Sequence, residues 1–362
     1  MSLSVGIAGL PNVGKSTLLN ALTQAGAEAS NYPFCTIEQN VGVATVPDVD
    51  LDRLKEILAP EEAVPTAVRF VDIAGLVEGA SRGEGLGNKF LGHIRDVDAI
   101  LHVVRCFDDG NVVHTTGEPD PVRDVGIVEA EFLLTDVDTA LRGLKKWGRE
   151  VRNGKGTGKD EETAFAHAVE ILKAGTPIAA ADLTDKESEI LADARFLTAK
   201  PSLYLANTGE DDPAGEGSLA DALRTAKGAD YVVPVSVRIE EEIAELPPEE
   251  RLEFLQDLGL KETALNQVVK ASYRLLDLIT FYTIANNKLR AWQLPRGGTA
   301  SQAAGRIHSD MEKGFIRAEV MPHKELVELG SRAALQEKGL IQIVGRDYAV
   351  ADRDVIQVHF KV

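Results

Sequence analysis

The stretch Gly9-Leu10-Pro11-Asn12-Val13-Gly14-Lys15-Ser16-Thr17 decides the fold of this chain. Mostly apolar residues precede it at 4–8 and follow it at 18–22, which predicts a strand, a tight glycine turn and a helix. The spacing of the glycines, lysine and serine is that of a phosphate-binding loop. Glycines let backbone N–H groups converge on one anion, and the helix start adds the positive end of its dipole. A chance glycine turn is the alternative, but the flanking strand and helix favour the motif.

This loop supplies most of the residues that we predict to bind a nucleotide. Lys15 is expected to reach the terminal phosphates, and the hydroxyl of Ser16 suits Mg²⁺. The predicted nucleotide-binding residues of the loop are Asn12, Val13, Gly14, Lys15, Ser16 and Thr17.

The composition limits what else the protein can be. Its 362 residues allow two or three domains, and a hydrophobic fraction of 44% permits a proper core. A net charge of -18 argues against binding to DNA or RNA through bulk charge, so any RNA contact needs a local basic patch. Two cysteines without metal-ligand spacing favour a reducing compartment over a disulfide scaffold. With no apolar run of membrane length and no signal-like N-terminus, we expect a cytoplasmic protein that does not enter a membrane.

A polar, proline-containing segment follows the first predicted helix and precedes a predicted strand at residues 41–46. A nucleotide-sensing switch belongs in this position. Thr36 in this segment can offer a hydroxyl to Mg²⁺ and a backbone N–H to the γ-phosphate. A plain surface loop is the alternative, and the phosphate-binding loop earlier in the chain favours the switch.

Residues 67–72 form an apolar run that ends in Asp72, as expected for a buried strand ending in a carboxylate. Asp72 can hold a water bound to Mg²⁺, and the N–H of Gly75 can approach the γ-phosphate. Glycines recur between residues 79 and 87, and each loses much backbone entropy on ordering. We interpret this segment as a second switch, with a flexible linker as the alternative.

Leu76 stands where many GTPases carry a glutamine that orients the attacking water. Because the leucine side chain neither donates nor accepts a hydrogen bond, another residue must orient the attacking water. His114, on a short loop after a predicted strand at residues 99–104, is the predicted catalytic residue, since an imidazole can polarise water. His93 is the closest rival, whereas His102 lies inside the strand and is expected to be packed. Simple solvent exposure is the alternative for His114.

Apolar residues recur at helical spacing from about residue 128 to 200, which predicts a helical hairpin inserted into the nucleotide-binding domain. Basic residues cluster around its tip in an otherwise acidic chain. The cluster comprises Lys145, Lys146, Arg149, Arg152, Lys155 and Lys159. Two interpretations remain open, a solvated helix face and a patch that contacts RNA.

A predicted strand at residues 201–206 leads into Asn207, Thr208 and Glu210, at the place of the guanine-reading N-K-x-D motif. Thr208 replaces the lysine whose stem lies along the base, and Glu210 replaces the aspartate with a longer side chain. A hydrogen-bonding pocket discriminates steeply when its partners shift, so we predict that ATP binds more tightly than GTP. Ser236, which follows another predicted strand, opens the last loop on the base side.

The part of the chain from about residue 278 predicts a small mixed sheet with one main helix, of β-grasp type. An acidic helical run at residues 240–260 precedes it. Strands are predicted at residues 289–294, 316–320, 341–344, 347–350 and 355–360, and a short helix at 300–307. This part carries no catalytic constellation, so we interpret it as a binding module.

In combination these segments resemble the YchF-type members of the Obg-related nucleotidases, the Obg-like ATPase family, along essentially the whole chain. The residues that carry the resemblance are 9–17, 31–36, 72–76, 83–90, Asn207 with Glu210, and 314–319. The resemblance implies an α/β fold with a P-loop NTPase G domain of OBG type and a C-terminal β-grasp module, the TGS domain. The implied boundaries are 1–277 for the G domain, about 128–200 for its helical insertion, and 278–362 for the TGS domain.

The resemblance also implies a function. Members of the family prefer ATP to GTP, in agreement with the interpretation of Glu210, and their proposed catalytic histidine falls on His114. They act at ribosomes, so we expect an ATP-hydrolysing switch with the ribosome or its RNA as partner. Mg²⁺ is the expected cofactor, and its predicted ligands are Ser16, Thr36 and Asp72. Because Leu76 favours slow turnover, a binding module that holds the nucleotide as a structural ligand with negligible hydrolysis is the alternative.

Overall fold

Two six-stranded sheets organise the residues that the computed structural model describes. The described ranges are 3–27, 40–72, 95–110, 112–114, 117–154 and 158–361. Thr36, Gly75, Leu76, His93 and Lys155, together with the glycine-rich segment at 79–87, lie outside these ranges. Within the same ranges, no helix combines the length and the apolar character that crossing a membrane requires.

The first sheet has the strand order β2-β4-β1-β5-β6-β7. Its strands are β1 Leu3–Ala8, β2 Val41–Thr45, β4 Ala67–Asp72, β5 Ala99–Arg105, β6 Ser202–Asn207 and β7 Val232–Val235. All neighbours are parallel except β2, which pairs antiparallel with β4. Helices cover the sheet, so every residue of β5 is buried, which explains its continuous apolar run. The strands predicted from the sequence in this sheet are confirmed.

Helices lie between these strands along the chain, and several of them cover the sheet. They are α1 Lys15–Ala27, α2 Val49–Leu58, α3 Pro121–Arg152, α4 Lys159–Lys173, α5 Asp185–Ala192, α6 Ser218–Lys227, α7 Val237–Glu245, α8 Pro248–Asp257 and α9 Ala264–Leu275. The main core combines apolar residues of β1, α1 and α9, among them Ile7, Leu18 and Val268, which are fully buried. This packing places the loop between β1 and α1 at one edge of a rigid sheet.

The predicted helical hairpin is confirmed as α3 packed against α4. α3 begins earlier than the residue pattern indicated, at Pro121, where the side chain of Asp120 accepts a hydrogen bond from the N–H of Arg123 at 3.0 Å. Gly143 on α3 is needed for close packing, because an added Cβ would lie 2.2 Å from the ring of Phe165 on α4. The hairpin therefore has a defined apolar seam, and α3 reaches from the sheet to the hairpin tip.

The second sheet has the strand order β11-β10-β12-β8-β9-β3. Its strands are β3 Glu62–Val64, β8 Leu278–Ala285, β9 Lys288–Pro295, β10 Phe315–Met321, β11 Gln342–Val344 and β12 Val355–Phe360, and the helices beside it are α10 Ala300–Ile307, α11 Ser309–Lys313, α12 His323–Leu329 and α13 Arg332–Glu337. The strand predicted at residues 347–350 is wrong: Ala349 forms only an isolated bridge with Thr299. Asp354 instead holds a turn there, accepting from the hydroxyl of Tyr348 at 3.0 Å and from the N–H of Ala351 at 2.9 Å.

An early part of the chain joins this second sheet. β3 pairs in parallel with β9, and Leu54 of α2 packs in the same apolar cluster as Leu289. Asp48, which caps α2, also accepts hydrogen bonds from the hydroxyl of Tyr282 at 2.9 and 3.0 Å. Residues 48–64, which lie in the predicted N-terminal domain, therefore contact the C-terminal sheet. The predicted boundary at residue 277 stays a prediction.

Candidate nucleotide-binding site

The carboxyl ends of the parallel strands lie side by side at one edge of the first sheet. Ile7 pairs with Asp72. Arg105 pairs with Asn207, which in turn pairs with Val235. The loops that follow these strands therefore meet at one edge, where open α/β sheets bind their ligands.

The backbone of the phosphate-binding loop passes so close to its neighbours that two of its positions require glycine. A Cβ on Gly9 would lie 2.4 Å from the carbonyl oxygen of Val103. Gly14 has a φ of +99°, and a Cβ there would lie 2.5 Å from Nδ2 of Asn207. Asn12 also adopts a left-handed conformation, with a φ of +61°, which asparagine tolerates better than most residues. The loop conformation therefore depends on these residue types.

Lys15 begins helix α1 and folds back over the loop. Its Nζ donates hydrogen bonds to the carbonyl oxygens of Gly9 at 2.9 Å and Leu10 at 2.6 Å. Burial lowers the pKa of the Lys15 ammonium, and the charge of Asp72 acts in the opposite direction. A cation enclosed by backbone carbonyls at a helix start is well placed to meet a phosphate group.

Asp72 and Ser16 offer the kinds of oxygen that Mg²⁺ prefers. The Oδ1 atom of Asp72 is buried and has no hydrogen-bond partner in the described part of the chain. Burial raises the pKa of Asp72, and the charge of Lys15 lowers it. Ser16 lies exposed at the start of α1. No cluster of three or more His, Cys, Asp or Glu side chains forms a cation site among the described residues. The carboxylate of Asp72 and the hydroxyl of Ser16 fit a Mg²⁺ ion that also takes phosphate and water oxygens.

His114 is held inside the protein, contrary to simple solvent exposure. Its side chain is 4% exposed, and its Nε2 lies 2.8 Å from Oδ2 of Asp124. The side-chain amide of Asn12, in the phosphate-binding loop, donates to the carbonyl of Val113 at 3.2 Å. The structure thus links the segment that carries His114 to the loop. His102 is packed, as expected: it stacks on a tyrosine ring, and burial lowers its pKa to about 4.

Arg105, which the sequence reasoning missed, organises the loop between β5 and His114. It is 1% exposed. Its guanidinium donates to the carbonyl oxygens of Phe107 at 3.1 Å, Val112 at 2.8 Å and Asp109 at 3.1 Å. The signal in the sequence was a charged residue that closes an otherwise apolar strand. A buried arginine on backbone carbonyls fixes a loop because each carbonyl would otherwise lose its hydrogen bond.

Asn207 connects the loop on the phosphate side of the site to the loop on the base side. It is 5% exposed. Its Nδ2 donates to the carbonyl of Val13 at 2.9 Å, and its Oδ1 accepts from the N–H of Val237 at 3.2 Å. The loops after β1 and β7 are therefore joined through one side chain at the end of β6.

The remaining base-side residues differ in environment. Thr208 and Ser236 are 3% and 4% exposed. Within the part of the chain that the structure describes, their hydroxyl oxygens are buried without a hydrogen-bond partner. Glu210 is half exposed, and its Oε1 lies 2.7 Å from Nε of Arg238, which follows β7. The carboxylate at the guanine-reading position is therefore already paired with a cation.

The doubly wound sheet with a phosphate-binding loop after its first strand defines the class of the protein, a P-loop protein with a G domain. A family model described as a 50S ribosome-binding GTPase matches residues 4–133, and the model of the C-terminal domain of YchF GTPases, described as a protein of unknown function, matches residues 278–361. Proteins called ribosome-binding ATPase YchF from Bacillus subtilis and Pasteurella multocida are 44% and 46% identical to it over the full length of both chains. The chain therefore belongs to the YchF family. The structure of the YchF GTPase of Schizosaccharomyces pombe matches with a TM-score of 0.86 and 34% identity, covering 99% of this chain and 98% of that one. The resemblance inferred from the sequence is confirmed.

Proposed function

We propose that this protein binds ATP with Mg²⁺ at the phosphate-binding loop, hydrolyses it slowly, binds GTP more weakly and works at the ribosome. The observation that carries the proposal is the loop itself. Its glycines pack closely against neighbouring atoms, and Lys15, the first residue of α1, folds back over the loop. Its relatives from B. subtilis and P. multocida bear the name ribosome-binding ATPase. A G domain next to a C-terminal domain of TGS type suits a nucleotide-controlled binding protein.

The phosphates are held by the backbone of the loop, by Lys15 and through a metal ion. The backbone N–H groups of residues 12–17 face the phosphates, and Lys15 contacts the β- and γ-phosphates. Ser16, Thr36 and Asp72 would hold Mg²⁺, which when bound would neutralise the charge that develops during phosphoryl transfer. Gly75 contributes a backbone N–H to the γ-phosphate. The buried Oδ1 of Asp72, without a partner in the described ranges, supports its part in this arrangement.

His114 orients the attacking water in this proposal, because Leu76 has no polar group to do so. Asn12 links the segment with His114 to the phosphate-binding loop, and Arg105 fixes the chain between β5 and His114. A histidine held within a buried environment keeps one orientation, which is what a water-orienting group needs. His93 remains the rival for this role.

The base side favours adenine in this proposal. Guanine presents a ring N–H and an amine, both donors, and an unpaired carboxylate would accept from both. Glu210 is displaced by its longer side chain and is paired with Arg238 at 2.7 Å. Thr208 offers no long stem to lie along the base. Asn207 and Ser236 complete the base side but present no group that would select guanine.

The hairpin tip offers a surface for ribosomal RNA. Lys145, Lys146, Arg149, Arg152 and Lys159 are all exposed there. Several basic side chains on one surface of an acidic protein concentrate its affinity for phosphate groups at that surface. The tip is distant from the sheet along α3, whose 32 residues correspond to about 48 Å of helix.

Calorimetric titration with ATP and GTP, followed by turnover assays with and without ribosomes, tests this function. ATP should bind more tightly than GTP, and Lys15→Ala should weaken ATP binding by about 100-fold or more, about 2.7 kcal/mol. Lys173→Ala, which removes an exposed lysine from the end of α4, is the matched control and should bind ATP normally. An unmodified protein that favours GTP about tenfold would overturn the base assignment, and near-normal ATP binding by Lys15→Ala would overturn the site.

The ribosome contact has its own test. Replacing Lys145, Lys146 and Arg149 by glutamate should abolish cosedimentation with ribosomes, whereas Lys173→Glu should not. Equal binding by both variants would remove the hairpin tip from the proposal. Turnover that stays negligible with ribosomes present would instead favour a module that keeps ATP as a structural ligand.

A further inference from the structure

We propose that Arg238 is a specificity-determining residue, which disfavours guanine by occupying the carboxylate of Glu210. The inference rests on the proposed preference for ATP over GTP and names the residue that enforces it. Glu210 lies on the loop after β6, and Arg238 lies just after β7, so the contact between them spans the two segments that form the base side of the site. Arg238 lies outside the positions that the guanine-reading motif singles out.

The two segments are joined at two depths. At the surface, Nε of Arg238 lies 2.7 Å from Oε1 of Glu210, and the two side chains are 72% and 51% exposed. In the interior, the side chain of Asn207, which is 5% exposed, accepts a hydrogen bond from the N–H of Val237 at 3.2 Å. The interior contact holds the backbone of both segments, so the charges of Arg238 and Glu210 stay within reach of each other. The carboxylate therefore already has a cation as its partner before a base binds.

Neither helix formation nor packing accounts for an arginine at this position. Arg238 is the second residue of α7, whose range is Val237–Glu245. The start of a helix carries a partial positive charge, so a cation in the first turn is unfavourable. At 72% exposure the side chain buries little surface. Among the described residues, the contact with Glu210 is the interaction that the structure gives this side chain, and it lies where a base-selecting carboxylate is expected.

The ion pair affects the two bases differently. Guanine presents a ring N–H and an amine, both donors, and an ionised carboxylate is an acceptor only. Adenine carries an unprotonated ring nitrogen in place of the guanine N–H, and this nitrogen accepts hydrogen bonds. Guanine therefore gains from Glu210 only after the carboxylate leaves Arg238, whereas adenine gains nothing from a freed carboxylate at that nitrogen. Only GTP binding carries the cost of breaking the pair.

The length of the Glu210 side chain does not exclude guanine by itself. A glutamate that is half exposed can change rotamer, and in another rotamer its carboxylate can approach the donors of guanine. Arg238 opposes this movement. An exposed ion pair is worth up to about fivefold in an equilibrium constant. We therefore expect Arg238 to contribute a factor of up to about five to the preference for ATP over GTP.

Arg238→Ala tests the proposal through the ratio of two affinities. ATP and GTP should be titrated in competition with the same fluorescent nucleotide in the presence of Mg²⁺. Because both carry the same triphosphate, the ratio of their dissociation constants isolates the base. The preference for ATP should fall by about two- to fivefold, through tighter GTP binding. Arg53→Ala is the matched control: it removes an exposed arginine of α2 that lies 3.7 Å from a carboxylate oxygen of Asp50, and it should leave the ratio unchanged.

Three further measurements separate the role of the charge from a structural role. Arg238→Lys keeps the cation and should keep the wild-type ratio. In the Glu210→Gln background, Arg238→Ala should leave the ratio unchanged, because no carboxylate remains to be released. Raising the ionic strength from about 0.05 M to about 0.5 M screens an exposed ion pair, so the preference for ATP should fall in the wild type but not in Arg238→Ala.

The outcomes distinguish this inference from the base preference on which it rests. A wild-type protein without a preference for ATP would overturn that base preference. A ratio in Arg238→Ala equal to that of the wild type would overturn the role of Arg238, whichever nucleotide the wild type favours. Weaker GTP binding by Arg238→Ala would show that the guanidinium contacts guanine directly, and a ratio change of the same size in the Glu210→Gln background would show that the carboxylate is not involved. Either result would also overturn the proposal, as would a loss of preference in Arg238→Lys equal to that in Arg238→Ala.

Discussion

Glu240 gives the sharpest prediction about stability, because it is a buried carboxylate with defined partners. It lies on α7, is 2% exposed, and accepts hydrogen bonds from the N–H groups of Ala264 at 2.7 Å and Leu265 at 3.3 Å, at the start of α9. Burial raises its pKa to about 7, although these hydrogen bonds act in the opposite direction. Glu240 and the nearby Glu262 line one cavity, and Glu262 is paired with Lys270 at 2.6 Å.

The sign and size of the pH effect follow from this shift. The folded protein holds the proton more tightly than the unfolded chain, whose glutamate has a pKa of 4.5. The resulting stabilisation is fully present below pH 4.5 and is lost as the pH rises through about 7. At about 1.4 kcal/mol for each pKa unit, the free energy of unfolding should fall by about 2 to 3 kcal/mol between pH 5 and 8 because of this one group.

Glu240→Gln removes the titration but keeps an oxygen that can accept from the start of α9. Urea unfolding should be measured at pH 5, 6, 7 and 8 for the wild type, Glu240→Gln and the control Glu242→Gln, an exposed residue of the same helix. The wild type should lose about 2 to 3 kcal/mol relative to Glu240→Gln over this range, and Glu242→Gln should follow the wild type. A difference between wild type and Glu240→Gln that stays constant with pH would refute the reasoning.

Further substitutions test other buried groups. Arg105→Lys should lower the free energy of unfolding by about 1 to 3 kcal/mol in urea titrations, since one ammonium cannot satisfy the carbonyls that the guanidinium holds; a change near zero would contradict this. Asn207→Ala should weaken ATP and GTP binding by the same factor in calorimetry, because the contact it breaks lies between loops and not on the base; a loss confined to one nucleotide would contradict this. Burial raises the pKa of the Cys106 thiol to about 12, so in a Cys35→Ser background it should react with a thiol reagent at pH 8 only slowly until denaturant is added. Fast labelling of the folded protein would exclude a buried Cys106.

The phosphate-binding loop and the first sheet could be predicted because their signals are local. The spacing of Gly9, Gly14 and Lys15 identifies the loop. An apolar run identifies β5, which is buried on both faces. The strand at residues 347–350 was also predicted from a short local run of residues. This prediction is wrong, because the side chain of Asp354 favours a turn there.

Features that depend on which side chains or strands meet in the folded protein could not be predicted from local patterns. Asp124 lies ten residues after His114 in the chain, and neither residue type nor spacing marks the pair. β3 joins a sheet whose other strands begin more than two hundred residues later, so its short sequence carries no sign of its partner. The predicted site residues Thr36 and Gly75 lie outside the described ranges and stay predictions.

The rate of ATP hydrolysis by His114→Ala tests the central claim most directly. The rate should be measured in single turnover at saturating ATP and Mg²⁺, with ATP affinity determined on the same preparation and His93→Ala as the comparison. Removing the group that orients the water should lower the rate by about 10²- to 10⁴-fold, while ATP affinity stays within a few-fold of the wild type. A wild-type rate in His114→Ala, with the loss appearing in His93→Ala or in neither variant, would contradict the assignment of hydrolysis to His114.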